Sequence, residues 1–304
     1  MSSKPRIGYV GVGLMGHGAA RNILERGGYP LTIMGHRNRE PVEDLVRRGA
    51  VEAANAAAVA EASDIVFLCL PSSVEVEAVV HGEGGLLGAM RPGRLLVDST
   101  TADPTVTRRL GADLRGRGAG MIDAALGRTP KEAEAGRLAT SVGGEPDDIA
   151  RVRPILETYA DTIVVCGALG AGTTCKLVNN SITIGMCALI AEGFATAAKV
   201  GVDLDALAAV LSAGGADGRM WQMMAPWVRD GDDSHLKGPL RIAAKDMRFY
   251  NRMAEDAGVA TFIAQAVSQT YRLALNRGHA ERFMPVLPGI LAELNGARIR
   301  DLER

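Results

Sequence analysis

Two polar side chains lie one helical turn apart in an otherwise apolar stretch of the chain. Lys176 and Asn180 are four residues apart in a segment with a helical pattern, so both project from the same helix face. A lysine amine can take up or release a proton, whereas arginine keeps its charge. An asparagine amide beside it can orient an oxygen atom of a substrate. The pair predicts acid–base chemistry, with Lys176 as the catalytic group; the alternative is a surface lysine near the start of a helix.

A glycine-rich turn near the N-terminus predicts a dinucleotide site. The pattern G-x-G-x-x-G follows an apolar strand directly and precedes a helix. The first glycine permits the tight turn, the second lets the backbone approach a pyrophosphate, and the third allows close packing of strand and helix. Such turns also occur for backbone reasons alone, but this position within a βαβ unit favours a dinucleotide. The predicted cofactor contacts are Gly11, Val12, Gly13, Leu14, Met15 and Gly16.

The residues after the second predicted strand indicate which dinucleotide is preferred. An NAD site normally has Asp or Glu here, because a carboxylate binds the ribose hydroxyls. This chain has His36, Arg37 and Asn38, then Arg39, and the first carboxylate is Glu40. Since arginine complements a 2′-phosphate, we expect NADP in preference to NAD. A solvated turn is the alternative.

Two further strand ends are predicted to complete the cleft. One strand ends at Leu70 and Pro71, and the next runs into Ser99, Thr100 and Thr101. Ligands of open α/β sheets lie beyond the carboxyl ends of the strands. Each segment could instead only begin a helix.

The hydrophobic pattern predicts a fold that can bring these strand ends together. In the first half, apolar runs typical of buried strands alternate with helical patterns. The strands are expected at 7–10, 31–34, 65–70, 95–99, 121–125, 139–142 and 162–166, and helices at 15–26, 39–48 and 105–117. This alternation predicts an α/β Rossmann domain with a doubly wound parallel sheet.

The second half of the chain has only helical patterns. Gly170 and Gly172 precede Thr173, which we expect to cap a long helix reaching about Val200. Further helices are expected at 205–213, 220–228, 240–257, 262–277 and 286–301. We therefore predict a Rossmann domain over residues 1–169 and an all-α C-terminal domain over residues 170–304, which begins with a long interdomain helix.

Composition and charge argue against several classes of partner. The 304 residues are 47% hydrophobic, which is enough for two domain cores. A net charge of −1 and an aromatic content of 4% argue against nucleic-acid binding. The histidines lack metal-ligand spacing, so no metal is expected.

The apolar segments and the cysteines indicate in which cellular compartment the protein is expected. The apolar stretch at 177–190 is interrupted by polar residues and is shorter than a bilayer span, and no signal-peptide core precedes the first strand. We expect a cytoplasmic protein without a membrane partner. The four cysteines (Cys69, Cys166, Cys175 and Cys187) form no C-x-x-C pair and are expected to be reduced thiols in the core.

Five motifs together, in order and spacing, resemble the β-hydroxyacid dehydrogenase family over essentially the whole chain. They are the glycine turn at 11–16, Asp-Ser-Thr-Thr at 98–101, Asp-Ala-Ala-Leu-Gly-Arg-Thr at 123–129, the segment 172–180, and Lys245-Asp246. The resemblance implies an NAD(P)-dependent enzyme that transfers a hydride between nicotinamide and a small anionic β-hydroxyacid or its semialdehyde. It also implies a homodimer or homotetramer.

The same resemblance implies roles for individual residues. Lys176 would be the general acid/base and Asn180 a residue that orients the substrate. Thr101 and Lys245 would contact the cofactor, and Asp246 would lie beside the closed active site.

One motif departs from the commonest form in the family. Where many members have Ser-Gly-Gly, this chain has Gly127, Arg128 and Thr129. This is similar to the sulfolactaldehyde reductase branch, in which an arginine of this loop meets a sulfonate, although that branch carries the Asp expected for NAD. A guanidinium offers forked donors to a carboxylate, sulfonate or phosphate, so we expect this loop and Ser99-Thr100 to bind the substrate. The alternative is an arginine that pairs with Glu132 or Glu134.

Two other functions remain open from the sequence. An imine reductase shares this architecture but usually lacks the catalytic lysine. A cofactor-binding sensor without catalysis would not need the lysine or the substrate loop.

Overall fold

The computed structural model describes residues 4–300, which fold into two compact units, one up to Lys176 and one from Leu177 onward. Between residue 4 and Lys176, one sheet holds β1 (Ile7–Val10), β2 (Leu31–Met34), β3 (Val51–Ala53), β4 (Ile65–Leu68), β5 (Leu95–Asp98), β6 (Gly120–Gly127), β7 (Leu138–Gly143) and β8 (Ala160–Gly167). The helices between them are α1 (Gly16–Glu25), α2 (Glu40–Arg47), α3 (Ala56–Glu61), α4 (Ser73–His81), α5 (Leu86–Ala89), α6 (Pro104–Arg115), α7 (Pro130–Glu134) and α8 (Pro146–Leu156).

The strand order confirms the predicted doubly wound sheet. Neighbouring strands run in the order β3-β2-β1-β4-β5-β6-β7-β8, and the pairs are parallel except for β6 with β7. The chain therefore reverses the direction of strand addition between β1 and β4, which is where open α/β sheets bind ligands. The carboxyl ends of β1, β2, β4, β5 and β6 lie at one edge.

Two details of the sheet differ from the sequence prediction. The antiparallel pairing of β7 was not expected, because a hydrophobic run carries no information about strand direction. The short strand β3 was missed because it lies at the sheet edge, where Val51 and Glu52 are exposed. An edge strand of three residues has no buried pattern that a sequence could reveal.

The core of the sheet explains why the central strands read as continuous apolar runs. Every residue of β1, β4 and β5 is buried, because hydrophobic clusters cover both faces. Tyr9 and Phe67 stack with their ring centroids 5.9 Å apart, and Tyr159 meets Phe67 edge-on at 6.4 Å. The expected core location of the cysteines is confirmed for Cys187, which is buried, and wrong for Cys175, which is exposed; Cys69 and Cys166 are half-buried.

The second unit is helical, as predicted. The helix α9 (Ala171–Val200) begins in the first unit, and α10 (Leu204–Ala213), α11 (Arg219–Asp230), α12 (Leu240–Asp256), α13 (Phe262–Asn276) and α14 (Leu287–Leu294) follow it. The last helix stops well before the predicted residue 301, since Gly296 has a left-handed φ of 64°. Trp221 stacks on Phe194 at 5.3 Å inside this unit.

The helix α9 has 30 residues and is about 45 Å long at 1.5 Å per residue. Within residues 4–300 it is the one helix whose length and composition would allow it to cross a membrane. The helix is thus longer than the apolar stretch at 177–190 that the sequence indicated. Core helices of soluble proteins meet the same criterion, so length and composition are weak evidence for a membrane span.

Candidate active site

The glycine turn after β1 has the geometry that its sequence predicted. Gly11 has a left-handed φ of 100°, which favours glycine. A Cβ at Gly11 would overlap the carbonyl oxygen of Cys69, and one at Gly16 would overlap the carbonyl oxygen of Gly11. A Cβ at Gly13 would meet nothing within 4 Å. Two glycines are thus required for backbone packing, and the middle one leaves open space beside the turn.

The start of α1 fits a dinucleotide phosphate. No side chain caps this helix, and its first turn has no acidic residue. Its N–H groups and its dipole can therefore serve an anion. Val12 is buried and Met15 packs against the core, whereas Leu14 is 68% exposed.

The two arginines of the loop after β2, Arg37 and Arg39, have different surroundings. His36, Arg37 and Asn38 are exposed. The guanidinium of Arg39 donates two hydrogen bonds, of 2.7 and 2.8 Å, to the carboxylate of Glu52 on β3. These bonds hold the pKa of Glu52 below its usual range. Arg39 thus pairs with the neighbouring strand β3, whereas the side chain of Arg37 is exposed.

The loops after β4 and β5 are tied together. The backbone N–H of Leu70 donates to the hydroxyl of Thr100 at 3.0 Å, and the N–H of Thr100 donates to Asp98 at 2.9 Å. Ser99 and Thr100 are buried, while Pro71 is exposed and Thr101 half-buried. Thr100 thus ties the two loops together, and Pro71 and Thr101 lie nearer to the surface.

Arg128 lies at the carboxyl end of β6, as expected, but with an unexpected partner. Its guanidinium donates to Asp161 at 2.8 Å and to the hydroxyl of Thr162 at 3.0 Å, and also to the carbonyl oxygen of Arg137. The sequence did not suggest Asp161 as a partner, because it lies 33 residues further along the chain. The pKa of Asp161 is lowered, chiefly by this arginine.

The backbone at Arg128 has a conformation that favours glycine. Its φ is 74°, and it is the one non-glycine residue with a positive φ among residues 4–300. Glycine adopts this conformation at little cost, whereas a larger residue is strained there. After it, Thr129 caps the start of α7, and its backbone N–H donates to Glu132 at 3.1 Å.

A buried carboxylate fixes the start of α9. Asp123 accepts hydrogen bonds from the backbone N–H groups of Gly170 at 2.7 Å and Thr173 at 2.5 Å. A Cβ at Gly143 or Gly172 would lie 2.6 or 2.9 Å from its oxygens, so both positions need glycine. Burial raises the pKa of Asp123.

This contact corrects one prediction and adds one residue. Thr173 is not the N-cap, because α9 begins at Ala171 and the cap is supplied by Asp123 from a distant strand. From the sequence, Asp123 is recognisable only as part of a motif. The signal that could have found it is a lone carboxylate inside an apolar strand, where burial demands hydrogen-bond donors.

Lys176 follows Thr173 by three residues on α9 and is half-buried. Helix geometry puts Thr173, Lys176 and Asn180 on one side of α9. Because Asp123 anchors the first turn of α9, it also fixes the position of the Lys176 backbone.

The second unit brings three of the predicted residues together. The side-chain amide of Asn180 donates to Asp246 at 2.7 Å, and the ammonium of Lys245 lies 3.0 Å from the other oxygen of Asp246. Asp246 is only 4% exposed. Lys245 also lies 5.5 Å from the centre of the Phe249 ring. These contacts fix the direction of the Asn180 amide, since a carboxylate only accepts hydrogen bonds.

Matches to family models cover most of the chain. Residues 6–167 match the NAD-binding domain of 6-phosphogluconate dehydrogenase, and residues 170–284 match the NAD-binding domain of NADP-dependent 3-hydroxyisobutyrate dehydrogenase.

Individual relatives extend this result. The chain is 29% identical to mitochondrial 3-hydroxyisobutyrate dehydrogenase of Mus musculus, over 93% of this chain and 85% of the relative. It is 32% identical to 3-sulfolactaldehyde reductase of Escherichia coli, over 68% of each chain. A solved structure of Psf3 in complex with NADP+ and 2-OPP is 25% identical with a TM-score of 0.82, and the match covers 94% of this chain and 99% of that one.

Proposed function

The chain belongs to the β-hydroxyacid dehydrogenase family, and we propose that it interconverts a small anionic β-hydroxyacid and its semialdehyde with Lys176 as general acid/base. As a member of this family it is a nicotinamide-dependent oxidoreductase. The observation that carries the finer proposal is the pairing of Lys176 with Asn180 on one face of α9, with the Asn180 amide held by Asp246.

The proton steps follow from these residues. In the oxidation direction, the neutral amine of Lys176 accepts the proton of the substrate hydroxyl as the carbon is oxidised. In reduction, the protonated amine returns that proton to the carbonyl oxygen. The bound nicotinamide supplies the chemistry of accepting or giving the hydride. One N–H of Asn180 is used by Asp246, and the second can donate to an oxygen of the substrate.

We propose NADP as the preferred cofactor. Arg37 is exposed beside the carboxyl end of β2, and this loop has no carboxylate before Glu40. The 2′-phosphate of NADP would meet the cation of Arg37 here. The ribose hydroxyls of NAD would lack the carboxylate that usually accepts their hydrogen bonds. The similar structure of Psf3 that contains NADP+ supports the same choice.

We propose that the loop of Gly127, Arg128 and Thr129 binds the acid group of the substrate. Its place at the carboxyl end of β6, beside the other strand ends, supports this role. A guanidinium has five N–H donors, so an arginine can hold one carboxylate and still serve a second anion. The 32% identity to a 3-sulfolactaldehyde reductase makes a sulfonate one of the candidates.

We also propose that the protein self-associates. The second unit leaves an apolar stripe exposed along α9, formed by Val178, Ile182, Met186 and Leu189, of which Leu189 is 67% exposed. Residues at this spacing share a helix face, and an exposed apolar face of this kind favours a second copy. A dimeric or tetrameric mass by light scattering, lowered in Leu189→Glu, is the expected result; a monomeric wild-type mass would contradict it.

The central experiment is a substrate panel run with NADPH and NADH in parallel. Three- and four-carbon hydroxyacids, aldehyde acids and sulfonates are compared for the wild type, Lys176→Ala and Lys199→Ala. Lys199 lies at the far end of the same helix and serves as the matched control. We expect turnover of at least one anionic substrate in the wild type and control, and loss of about 100-fold or more in Lys176→Ala. NADPH binding should remain in all three proteins; activity retained by Lys176→Ala would disprove the assigned role.

A further inference from the structure

Two thiols lie close to the start of the helix that carries Lys176. Cys166 is the last residue but one of β8, and Cys175 is in the second turn of α9. Cys175 is exposed and Cys166 is half-buried. The mechanism proposed above uses neither thiol.

A β-bulge points Cys166 away from the regular pattern of its strand. Along β7 and β8, Val142 pairs with Val165, but the next residue, Gly143, pairs with Gly167. Cys166 is thus the extra residue of a bulge, and bulges redirect a side chain.

The first turn of α9 packs against the end of the same strands. A Cβ at Gly172 would overlap the carbonyl oxygen of Ser141 on β7, and one at Gly167 would lie 3.3 Å from Ala171. Cys175 comes three and four residues after Gly172 and Ala171, so it shares their helix face. The bulge and the packed helix turn thereby bring the two cysteines together.

The two thiols are near enough for Cys175 to affect the ionisation of Cys166. Burial, and after it the neighbouring thiol, raises the pKa of Cys166 to about 11. Cys166 therefore keeps its proton at neutral pH, and Cys175 is the thiol that solvent can reach and that can react first.

We propose that Cys166 and Cys175 are a redox-active pair that a hydroperoxide converts into an intramolecular disulfide. The Cys175 thiolate attacks one peroxide oxygen, the O–O bond breaks, and Cys175 becomes a sulfenic acid while hydroxide leaves and takes up a proton as water. The Cys166 sulfur then attacks the sulfenic sulfur as it loses its proton. The S–S bond forms, the S–O bond breaks, and a second water leaves. Two thiols are oxidised, and one hydrogen peroxide is reduced to two waters.

The consequence for activity rests on the proposed function. A disulfide would tie the second turn of α9 to the end of β8 at the residue before Lys176. Because the geometry of a disulfide is narrow, the bond would fix this turn in a new position. We expect the oxidised protein to lose most of its turnover and to keep NADPH binding, since the glycine turn follows β1, which is five strands away from β8 in the sheet.

Peptide mapping tests the pair without reference to activity. The whole protein is treated with hydrogen peroxide, and the wild type is compared with Cys166→Ser, Cys175→Ser and Cys69→Ser. We expect the wild type and Cys69→Ser to give a linked peptide of Cys166 and Cys175 that dithiothreitol separates. In Cys166→Ser, Cys175 should stop at a sulfenic acid that dimedone traps, and in Cys175→Ser the thiol of Cys166 should stay unmodified. Cys187, which is buried with a pKa raised to about 12, should not react in any of them.

Each contrary outcome is distinct. Absence of the linked peptide, or oxidation of Cys175 to a sulfinic acid without a bridge, overturns the pair. A bridge that forms while turnover of the wild type is unchanged overturns the effect on Lys176. If no substrate is found at all, the proposed function fails. The peptide map still shows whether Cys166 and Cys175 form a disulfide.

Discussion

The buried carboxylate of Asp246 accepts a hydrogen bond of 2.7 Å from the side-chain amide of Asn180, 66 residues earlier in the chain. This contact turns the amide nitrogen of Asn180 toward Asp246 and so determines which atoms of Asn180 face elsewhere. A substrate-orienting amide needs such a support, because an unsupported amide can rotate.

Replacing Asp246 by Asn should therefore weaken the orientation of Asn180. A hydrogen bond to a charged group contributes about 1.5–3 kcal/mol, which corresponds to a loss of about 10- to 160-fold in kcat/KM. Steady-state kinetics of Asp246→Asn measure this loss. Asp256→Asn, at the end of the same helix, is the control; an equal effect of both substitutions would contradict the prediction.

Replacing Asp123 by Ala should destabilise the first unit. The substitution leaves the N–H groups of Gly170 and Thr173 without their buried acceptor, and each unsatisfied group costs about 1–3 kcal/mol. We expect the free energy of unfolding in urea to fall by about 2–4 kcal/mol. Asp113→Ala, which removes an exposed ion pair with His81, should change it by less than about 1 kcal/mol. Equal stability of the two variants would show that Asp123 does not anchor α9.

Replacing Arg37 by Ala should affect one cofactor only. Loss of a cation beside the 2′-phosphate should raise KM for NADPH by about 10-fold and leave KM for NADH unchanged. Arg39→Ala is the matched control, because the guanidinium of Arg39 is held by Glu52. The assignment fails if both cofactors respond alike or if Arg39→Ala gives the same change.

Substitutions of Arg128 and of Asp161 should change KM for the anionic substrate in opposite directions. Arg128→Gly removes the proposed anion contact and should raise KM for the anionic substrate by about 10-fold. Its stability should change little, because relief of the left-handed backbone offsets the lost exposed ion pair. Asp161→Asn frees the guanidinium and should lower KM. If neither variant changes KM, Arg128 serves the fold and not the substrate.

Acid should weaken the hydrogen bonds that Asp44 of α2 makes with Arg48 and with His17 of α1. Asp44 accepts hydrogen bonds from Arg48 at 2.6 Å and lies 3.0 Å from His17, and chiefly the bond to Arg48 lowers its pKa from 3.8 to about 2. Since the folded pKa is below the unfolded one, the ionised carboxylate stabilises the fold above about pH 3.8, and this contribution disappears as the pH falls to about 2.

Urea unfolding of Asp44→Asn at several pH values tests this expectation. The wild type should be more stable than the variant by about 1 kcal/mol near pH 6, and the difference should shrink below pH 4. Asp147→Asn, at the exposed start of α8, should show a difference that is small at every pH. A wild-type advantage that persists unchanged at low pH would contradict the role of Asp44.

Much of the fold followed from local patterns. Strands β1 and β2 begin and end where the sequence placed them, because buried parallel strands are short apolar runs between turn residues. The short exposed strand β3 and the direction of β7 could not be read from such runs, since pairing joins segments that are distant in the chain.

The sequence by itself determined the glycine turn, the spacing of Lys176 and Asn180, and the change from alternating elements to helices. Each depends on residues within one turn or one helix, where backbone geometry alone relates neighbours. The tertiary structure alone decided the partners: Asp161 for Arg128, Asp123 for the start of α9, and Asp246 for Asn180. These partners are 33, 47 and 66 residues apart in the chain, and only the strand order and helix packing bring their donors and acceptors within hydrogen-bonding distance.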